Sequence, residues 1–524
     1  MKIKLASGLA LLAALGAATI GAAAWYDEGP DEALTRQWEG RPRVEDKDNL
    51  FFAMIATDRA SNDPLHVTGR RLFDNPGDES VAQIRSPDKD VREFVNGVRS
   101  ECIAITADTS ITCLYRHLPA EQIGDAEKRL SEQYLALRRY PAYRSELRYD
   151  AKMAPGAGFL NAHAMHIATH LAVEDASQLV VKDLVEDTLF ARKLMSDVDS
   201  LLAHVVAGVM VERNYRLIAD AIGEGNASQV AALKPVLQPL SDSTLDLKRN
   251  LAFKHAEDRI QYASYRRALA ADQDPWEEFS RAVEQPSPFA EAGLTRRLQA
   301  LLLKPGMTSN AILADTRESL GEPATRKPPG PVDSILNATA VKTWSPSGPA
   351  GGWKSYLWVM SDLDHFVRLV SLVGALSERR SFEPAQVVSE WNSKLGAQAQ
   401  SYRLAWDDKR SAFSFDPQSA RLRDRAKKSG HGVLVSAPAY LVQEAETWRG
   451  FTARCEGQRC ELRRSDGPPI AARPRAPLPK DAGPFLYFTD VKPGEYLGLS
   501  SLEQNGRGFW FERRVRLRVA KNPA

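Results

Sequence analysis

The stretch from Gly158 to Ile222 constrains the fold of this chain most strongly, because its apolar residues recur mostly at three- and four-residue intervals. Leu184, Val185, Leu189, Leu194, Val198, Leu201, Leu202, Val205 and Val209 fall on one stripe of a helix, the pattern of an element with one face in a core. The spacing predicts nearly unbroken helix over this stretch. Such a stripe has to bury itself against other helices, since isolated helical stability in water is marginal.

The segments around it continue in the same style. Ala120 to Leu137 is amphipathic, and Ala227 to Leu240 and Leu245 to Leu269 carry similar patterns punctuated by Pro235, Pro239 and Pro275. Helical pairs joined by short turns predict antiparallel hairpins stacked as a bundle or a short solenoid. No fixed repeat is present. A Pro-rich connector at 321–334 (GEPATRKPPGPVDS) and a loop from Ser345 to Trp353 lead to an apolar helix from Tyr356 to Leu376. From Ser401 the period changes to two, which predicts strands around Tyr402 to Trp406, Phe413 to Phe415, Gly432 to Ser436, Glu446 to Ala453, Glu461 to Arg464, Phe485 to Thr489 and Phe509 to Val519.

The amino terminus bears on location. Lys2 and Lys4 precede an uncharged apolar run from Leu5 to Tyr26, followed at once by Asp27, Glu28, Asp31 and Glu32. A cationic flank kept inside and an acidic flank sent outside is the pattern of an export signal. The run is long enough for a single membrane span of about 20 residues and ends in Trp25 and Tyr26, which suit the headgroup level. Ala22, Ala23 and Ala24 also match a small-x-small cleavage site. Both outcomes stay open: an inner-membrane protein with a single pass and a periplasmic bulk, or a soluble periplasmic protein after cleavage.

These patterns divide the chain into an anchor or signal at 1–26, a small α+β region at 27–119, a helical domain at 120–400 and a β-rich region at 401–524. The expected fold class is α+β, mainly α: a helical-hairpin bundle with a C-terminal antiparallel β region and an N-terminal membrane helix. With 69 basic against 67 acidic residues in 524, the net field gives no reason to expect nucleic acid as a partner.

The four cysteines fit an oxidising compartment. Cys102 and Cys113 lie in a hairpin-like segment, ECIAITADTSITCLYRH, and Cys455 and Cys460 flank Glu456, Gly457, Gln458 and Arg459. Residues opposed across antiparallel strands come within disulfide reach, so two local disulfides are expected. Zinc is the rival, but the ten residues between the first two cysteines exceed the short spacing of zinc ligand pairs.

Candidate chemistry is sparse. His163, His166 and His170 share one helical face in NAHAMHIATH, and the last two have the i, i+4 spacing of zinc-binding helices. Seven residues of helix rise about 10.5 Å, so one ion cannot be reached by both outer histidines. A further ligand would come from Glu174, Asp183, Glu186, Asp187 or His204. The competing reading has these histidines hydrogen-bonding across a helix interface. Asp362, Asp364 and His365 read as polar edge residues of an apolar helix rather than a base and its orienter, because sequence neighbours do not face each other on a helix. Ser86 and Lys89 match a Ser-x-x-Lys spacing in a polar setting. No GxSxG, no phosphate-binding GxxxxGK[ST] and no dinucleotide fingerprint is present. Two basic features remain: Arg421, Arg423, Arg425, Lys427 and Lys428 form a cluster, and Arg514, Arg516 and Arg518 alternate with Val515, Leu517 and Val519. The second reads as a charged edge strand, or as a face for anionic lipid or envelope polymer.

The apolar run followed by Trp25-Tyr26-Asp27-Glu28, the cysteine hairpin, the helical middle and the β tail together resemble uncharacterised membrane-anchored envelope proteins of bacteria. The resemblance is one of architecture and brings no activity with it. The expectation is a non-enzymatic envelope protein, tethered through residues 5–26, whose helical body contacts other envelope proteins and needs no cofactor. The alternatives are a metal-dependent hydrolase on the histidine helix, with zinc, and a binder of envelope polymer or lipid through the C-terminal β region.

Overall fold

The computed structural model describes residues 27–75, 78, 81–84, 124–147, 157–171, 177–224, 227–275, 277, 292–321, 349–376, 382–395, 402–407, 412–429 and 432–436, with strand segments at 448–456, 459–464, 469–472, 485–488, 497–500, 502–504, 507–509 and 515–518. It is mostly helical, with a small three-stranded antiparallel sheet near the carboxy terminus. The expected N-terminal membrane helix lies outside the described residues. Among the described residues no helix is long and apolar enough to cross a membrane.

The first elements are short. Helix α1 (Glu32–Glu39) starts at Asp31, whose carboxylate accepts from Leu34 N. Helix α2 (Leu50–Ile55) starts at Asn49, whose side chain accepts from Phe51 N, and is buried along its whole length. Helix α3 (Leu65–Asp74) packs on it. Four helices then form the centre: α4 (Asp125–Leu137), α5 (Ala157–Leu171), α6 (Ser177–Asp197) and α7 (Leu201–Glu224). Helix α4 packs on α5, and α6 packs on α7. The entry of α5 needs a glycine, because a Cβ on Gly158 would stand 2.6 Å from the Thr57 carbonyl oxygen.

Where the sequence reads as nearly unbroken helix, the chain turns at Val198–Ser200. Two side chains make the turn. Asp199 is drawn to the Arg41 guanidinium, and the Ser200 hydroxyl accepts from Ala203 N at 3.2 Å, capping α7. The apolar stripe is only partly buried, on both sides of the turn. Leu184, Leu194 and Val198 are buried, whereas Leu189 is 46% and Leu202 48% exposed.

Beyond the centre come α8 (Ala227–Ala232), α9 (Asp242–Leu245), α10 (Asn250–Ala270), α11 (Leu294–Leu302) and α12 (Pro305–Ser319). The segment from Ala227 to Leu240 is therefore not one helix. Pro235 sits in a 3-10 turn over Lys234–Val236, and the Arg192 guanidinium grips the carbonyls of Gln238 and Pro239. Helix α13 (Pro349–Leu376) begins inside the segment that reads as a loop, with Pro349 at its first position, where the fixed φ of proline suits a helix start. Its Phe366, Val367, Leu369, Val370 and Val373 are buried, in keeping with its apolar circumference. Helix α14 (Pro384–Lys394) follows.

Strands β1 (Ala405–Asp407), β2 (Ala412–Phe415) and β3 (Val433–Ser436) make the three-stranded sheet, with Trp406 opposite Phe413 and Phe413 opposite Val435. Helix α15 (Ala420–Ser429) carries the Arg421 to Lys428 cluster between β2 and β3. Strand β3 lies against α7 and α13, so the sheet joins the helical core. Further on, strands β4 (Trp448–Glu456), β5 (Arg459–Arg464) and β6 (Pro469–Ala472) form antiparallel neighbours. Strands β7 (Phe485–Phe488) and β8 (Leu497–Ser500) pair, as do β9 (Leu502–Gln504) and β10 (Arg507–Phe509), and β11 (Val515–Arg518) joins β4 at the edge of its sheet.

Candidate functional site

The densest polar cluster in the described structure lies where α4, α5, α6 and α7 meet, and it contains two of the three histidines singled out by spacing. His163 is 0% and His166 1% exposed. Both are carried inward by the same face of α5. Helix α4 brings Ser131, Tyr134 and Arg138, which share a face at three- and four-residue steps. Helix α6 brings Asp183 and Asp187 one turn apart, and α7 brings Asn214.

Asp187 is the hub. Its Oδ1 accepts from the Tyr134 hydroxyl and, at 2.9 Å, from Arg138 Nη2. Its Oδ2 lies 3.0 Å from His163 Nε2 and accepts from Asn214 Nδ2 at 2.7 Å. Four donors from three other helices therefore enclose one carboxylate. Asp183 takes Arg138 Nη1 at 2.7 Å on Oδ1 and stands 2.8 Å from His166 Nε2 through Oδ2. Arg138 thus bridges two carboxylates on successive turns of α6, using both arms of its fork.

Hydrogen placement follows from these partners. His163 Nε2 faces only acceptors, Asp187 Oδ2 and Asn214 Oδ1 at 3.2 Å, so this nitrogen carries the hydrogen and donates. Its Nδ1 is then a bare acceptor, buried and without a hydrogen-bond partner among the described residues. His166 Nε2 faces both Asp183 and, at 2.9 Å, Arg138 Nη2: a protonated nitrogen donates to the carboxylate, and a bare one accepts from the guanidinium. Its Nδ1 is 3.2 Å from the Ser131 hydroxyl. The Tyr134 ring lies tilted against both imidazoles, with centroids 5.2 Å and 5.0 Å away.

The electrostatics keep the carboxylates ionised and His163 neutral. Burial pushes the Asp187 carboxyl up, but the His163 ring and the Arg138 guanidinium beside it more than reverse that and hold it well below the usual range. Burial likewise opposes ionisation of Asp183, and the bonds from His166 and Arg138 bring its pKa down to about 2. For His163 burial wins, and the imidazole is held below its ordinary value despite the adjacent carboxylate. Burial and the Asp187 charge raise the Tyr134 phenol well above normal.

Both histidines direct Nε2 at a carboxylate, and the Arg138 guanidinium bridges Asp183 and Asp187. Among the described residues no group of three or more His, Cys, Asp or Glu side chains is arranged to hold an ion. The side chain of His170, and Glu174 entirely, lie outside the described residues. Glu186 is exposed and pairs with Lys182 on its own helix, and His204 is buried away from the cluster, its pKa lowered to about 3 by burial and the Arg249 guanidinium.

The remaining candidates separate. Asp362 is buried and accepts from the Tyr402 hydroxyl at 2.9 Å, Gln418 N at 2.8 Å and Ser419 N at 2.9 Å. It fastens α13 to the segments flanking the small sheet. His365 stacks on Tyr402 at 3.6 Å and donates Nδ1–H to the Ser361 carbonyl, while Asp364 takes Arg368 Nε at 2.7 Å. Cys455 stands directly opposite Cys460 in the β4–β5 register. Arg516 and Arg518 sit in the edge strand β11. Ser86, Lys89, Cys102, Cys113 and Arg514 lie outside the described residues.

Spacing alone finds the histidines and the two aspartates but misses Tyr134, Arg138, Ser131 and Asn214. The available signal is a polar triplet on the buried face of α4. No known family model, curated protein or solved structure matches this chain.

Proposed function

We propose that this protein is a non-enzymatic scaffold of the cell envelope, tethered at its amino terminus and presenting a body of stacked helical hairpins to protein partners outside the inner membrane. One observation carries the reading: the polar groups with most chemical potential, those around Asp187, are buried and bonded to one another across four helices rather than turned toward a ligand. A buried network of this kind fixes the register of the helices that share it. The apolar run between Lys4 and Asp27, with its cationic and acidic flanks, supports the tether and the location.

Affinity capture of the full chain from detergent-solubilised envelopes tests the reading. A reproducible envelope-protein partner is expected, in proportion to the captured chain. Recovery of no partner above a matched control would set the scaffold reading aside.

A further inference from the structure

We propose that α11 is a membrane-surface helix: its outward face, bearing Leu294, Arg297 and Leu301, lies in the headgroup layer of the bilayer that the apolar run spans. The inference rests on the tethered reading above and adds where the body meets the lipid.

Two observations converge on it. The first is a latch at the end of the apolar run. Tyr26 closes that run, and the next residue, Asp27, is already bonded to the body: its carboxylate accepts from Gly306 N at 3.1 Å and Met307 N at 3.0 Å, at the start of α12. Glu28 and Gly29 both take the Asn310 side-chain amide, at 3.0 Å and 2.9 Å, and Asp31 takes Arg317 at 3.1 Å. The fit is close enough that a Cβ on Gly306 would stand 1.9 Å from the Glu28 carbonyl oxygen. No slack linker therefore separates a membrane span from the body. The amino-terminal end of α12 sits at the bilayer surface.

The second observation is the helix beside that point. Helix α11 ends at Leu302, four residues before Gly306, a path of at most about 15 Å at about 3.8 Å per residue. Its inner face is secured. Ala300 and Leu303 pack with Leu269 in a small separate core, Arg296 donates to the Asp272 carbonyl at 2.8 Å, and Gly293 N donates to the Asp272 carboxylate at 2.8 Å. Its outer face is apolar yet open: Leu294 is 75% and Leu301 39% exposed. Those two positions lie seven residues apart, about 20° from eclipsed on a helix. Arg297 falls between them and is exposed. Leucines flanking a cation on the outer face of a surface helix is the arrangement that inserts shallowly among anionic headgroups.

The test uses the full chain reconstituted in vesicles of phosphatidylethanolamine and phosphatidylglycerol containing a phospholipid with a photoactivatable group near the glycerol. Mass spectrometry then maps the lipid adducts. Adducts are expected both in residues 5–26 and in α11. The variant Leu294→Ser/Leu301→Ser, altered only at exposed positions, should lose the α11 adducts about tenfold and keep those in 5–26. Adducts confined to 5–26 would overturn the inference and leave the tether standing. Adducts in α11 unchanged in the double variant would overturn the assignment of its apolar face. Adducts nowhere would overturn the tether itself, and the inference with it.

Discussion

Asp187 shows how one residue sets the character of the centre. An ionised carboxylate in a protein interior is tolerated only when its lone pairs are filled, and here donors from α4, α5 and α7 fill them. Removing one partner leaves the others as buried, uncompensated charge. Arg138→Met should therefore destabilise the fold by about 3 to 5 kcal/mol, read as a shift of the urea midpoint at unchanged slope. Acid should act in two steps. His204 is depressed to about 3 in the folded chain, against an ordinary value of about 6.5. Below that ordinary value the unfolded chain takes up a proton that the folded chain refuses, so stability falls as pH drops toward about 3. From pH 7 to 5 this residue alone contributes a loss of about 2 kcal/mol, and His204→Asn should flatten that part of the profile. The second step comes from Asp183. Its folded pKa, about 2, is below its unfolded value, so the stability it contributes is present above the unfolded value and is lost as pH falls toward about 2. Chemical denaturation across pH 7 to 2 checks both.

At the scale of elements, what the sequence reveals depends on whether the deciding interaction is local. The strands at 405–407, 412–415 and 433–436 are legible because alternation is a property of neighbouring residues, and the Trp406–Phe413 pairing follows from a short connection. The all-round apolar α13 is legible for the same reason. The break at Val198–Ser200 is not, because it depends on Asp199 meeting Arg41, 158 positions away in sequence. Arg138 and Tyr134 escape notice on similar grounds: their partners are 49 and 53 positions distant, and an amphipathic helix tolerates polar residues on any face that finds partners. Asp362 is the clearest misreading. It looks like a polar edge residue of an apolar helix, whereas it is a buried clasp with three donors from the sheet side. Asp362→Ala leaves two backbone N–H groups and a hydroxyl without their acceptor, and should cost about 2 to 3 kcal/mol. Proteolysis should then cut first in the segment carrying β1 to β3, ahead of the helical body.

At the scale of the whole molecule, the proposed tether makes a covalent prediction. Cys455 and Cys460 face each other in the β4–β5 register, and directly opposed antiparallel residues stand about 4.5 to 5.5 Å apart at Cα, within the range a disulfide spans. In protein purified from an oxidising compartment, a peptide pair linking these two cysteines should be recovered without reduction. Free thiols at both positions would argue against the export that the amino terminus implies. On the proposed reading, the helical body, the small sheet fastened by Asp362 and the latch at Asp27 form a unit held close to a membrane surface, with its polar centre holding helices in register. The most direct test of that account compares cross-linked partner capture in cells by the full chain and by Asp187→Asn, at a temperature where circular dichroism shows the variant folded. The account predicts the same envelope partner, captured to the same extent by both. Loss of capture from a fully folded variant would contradict the account, because the Asp187 cluster would then take part in partner binding rather than only holding helices together.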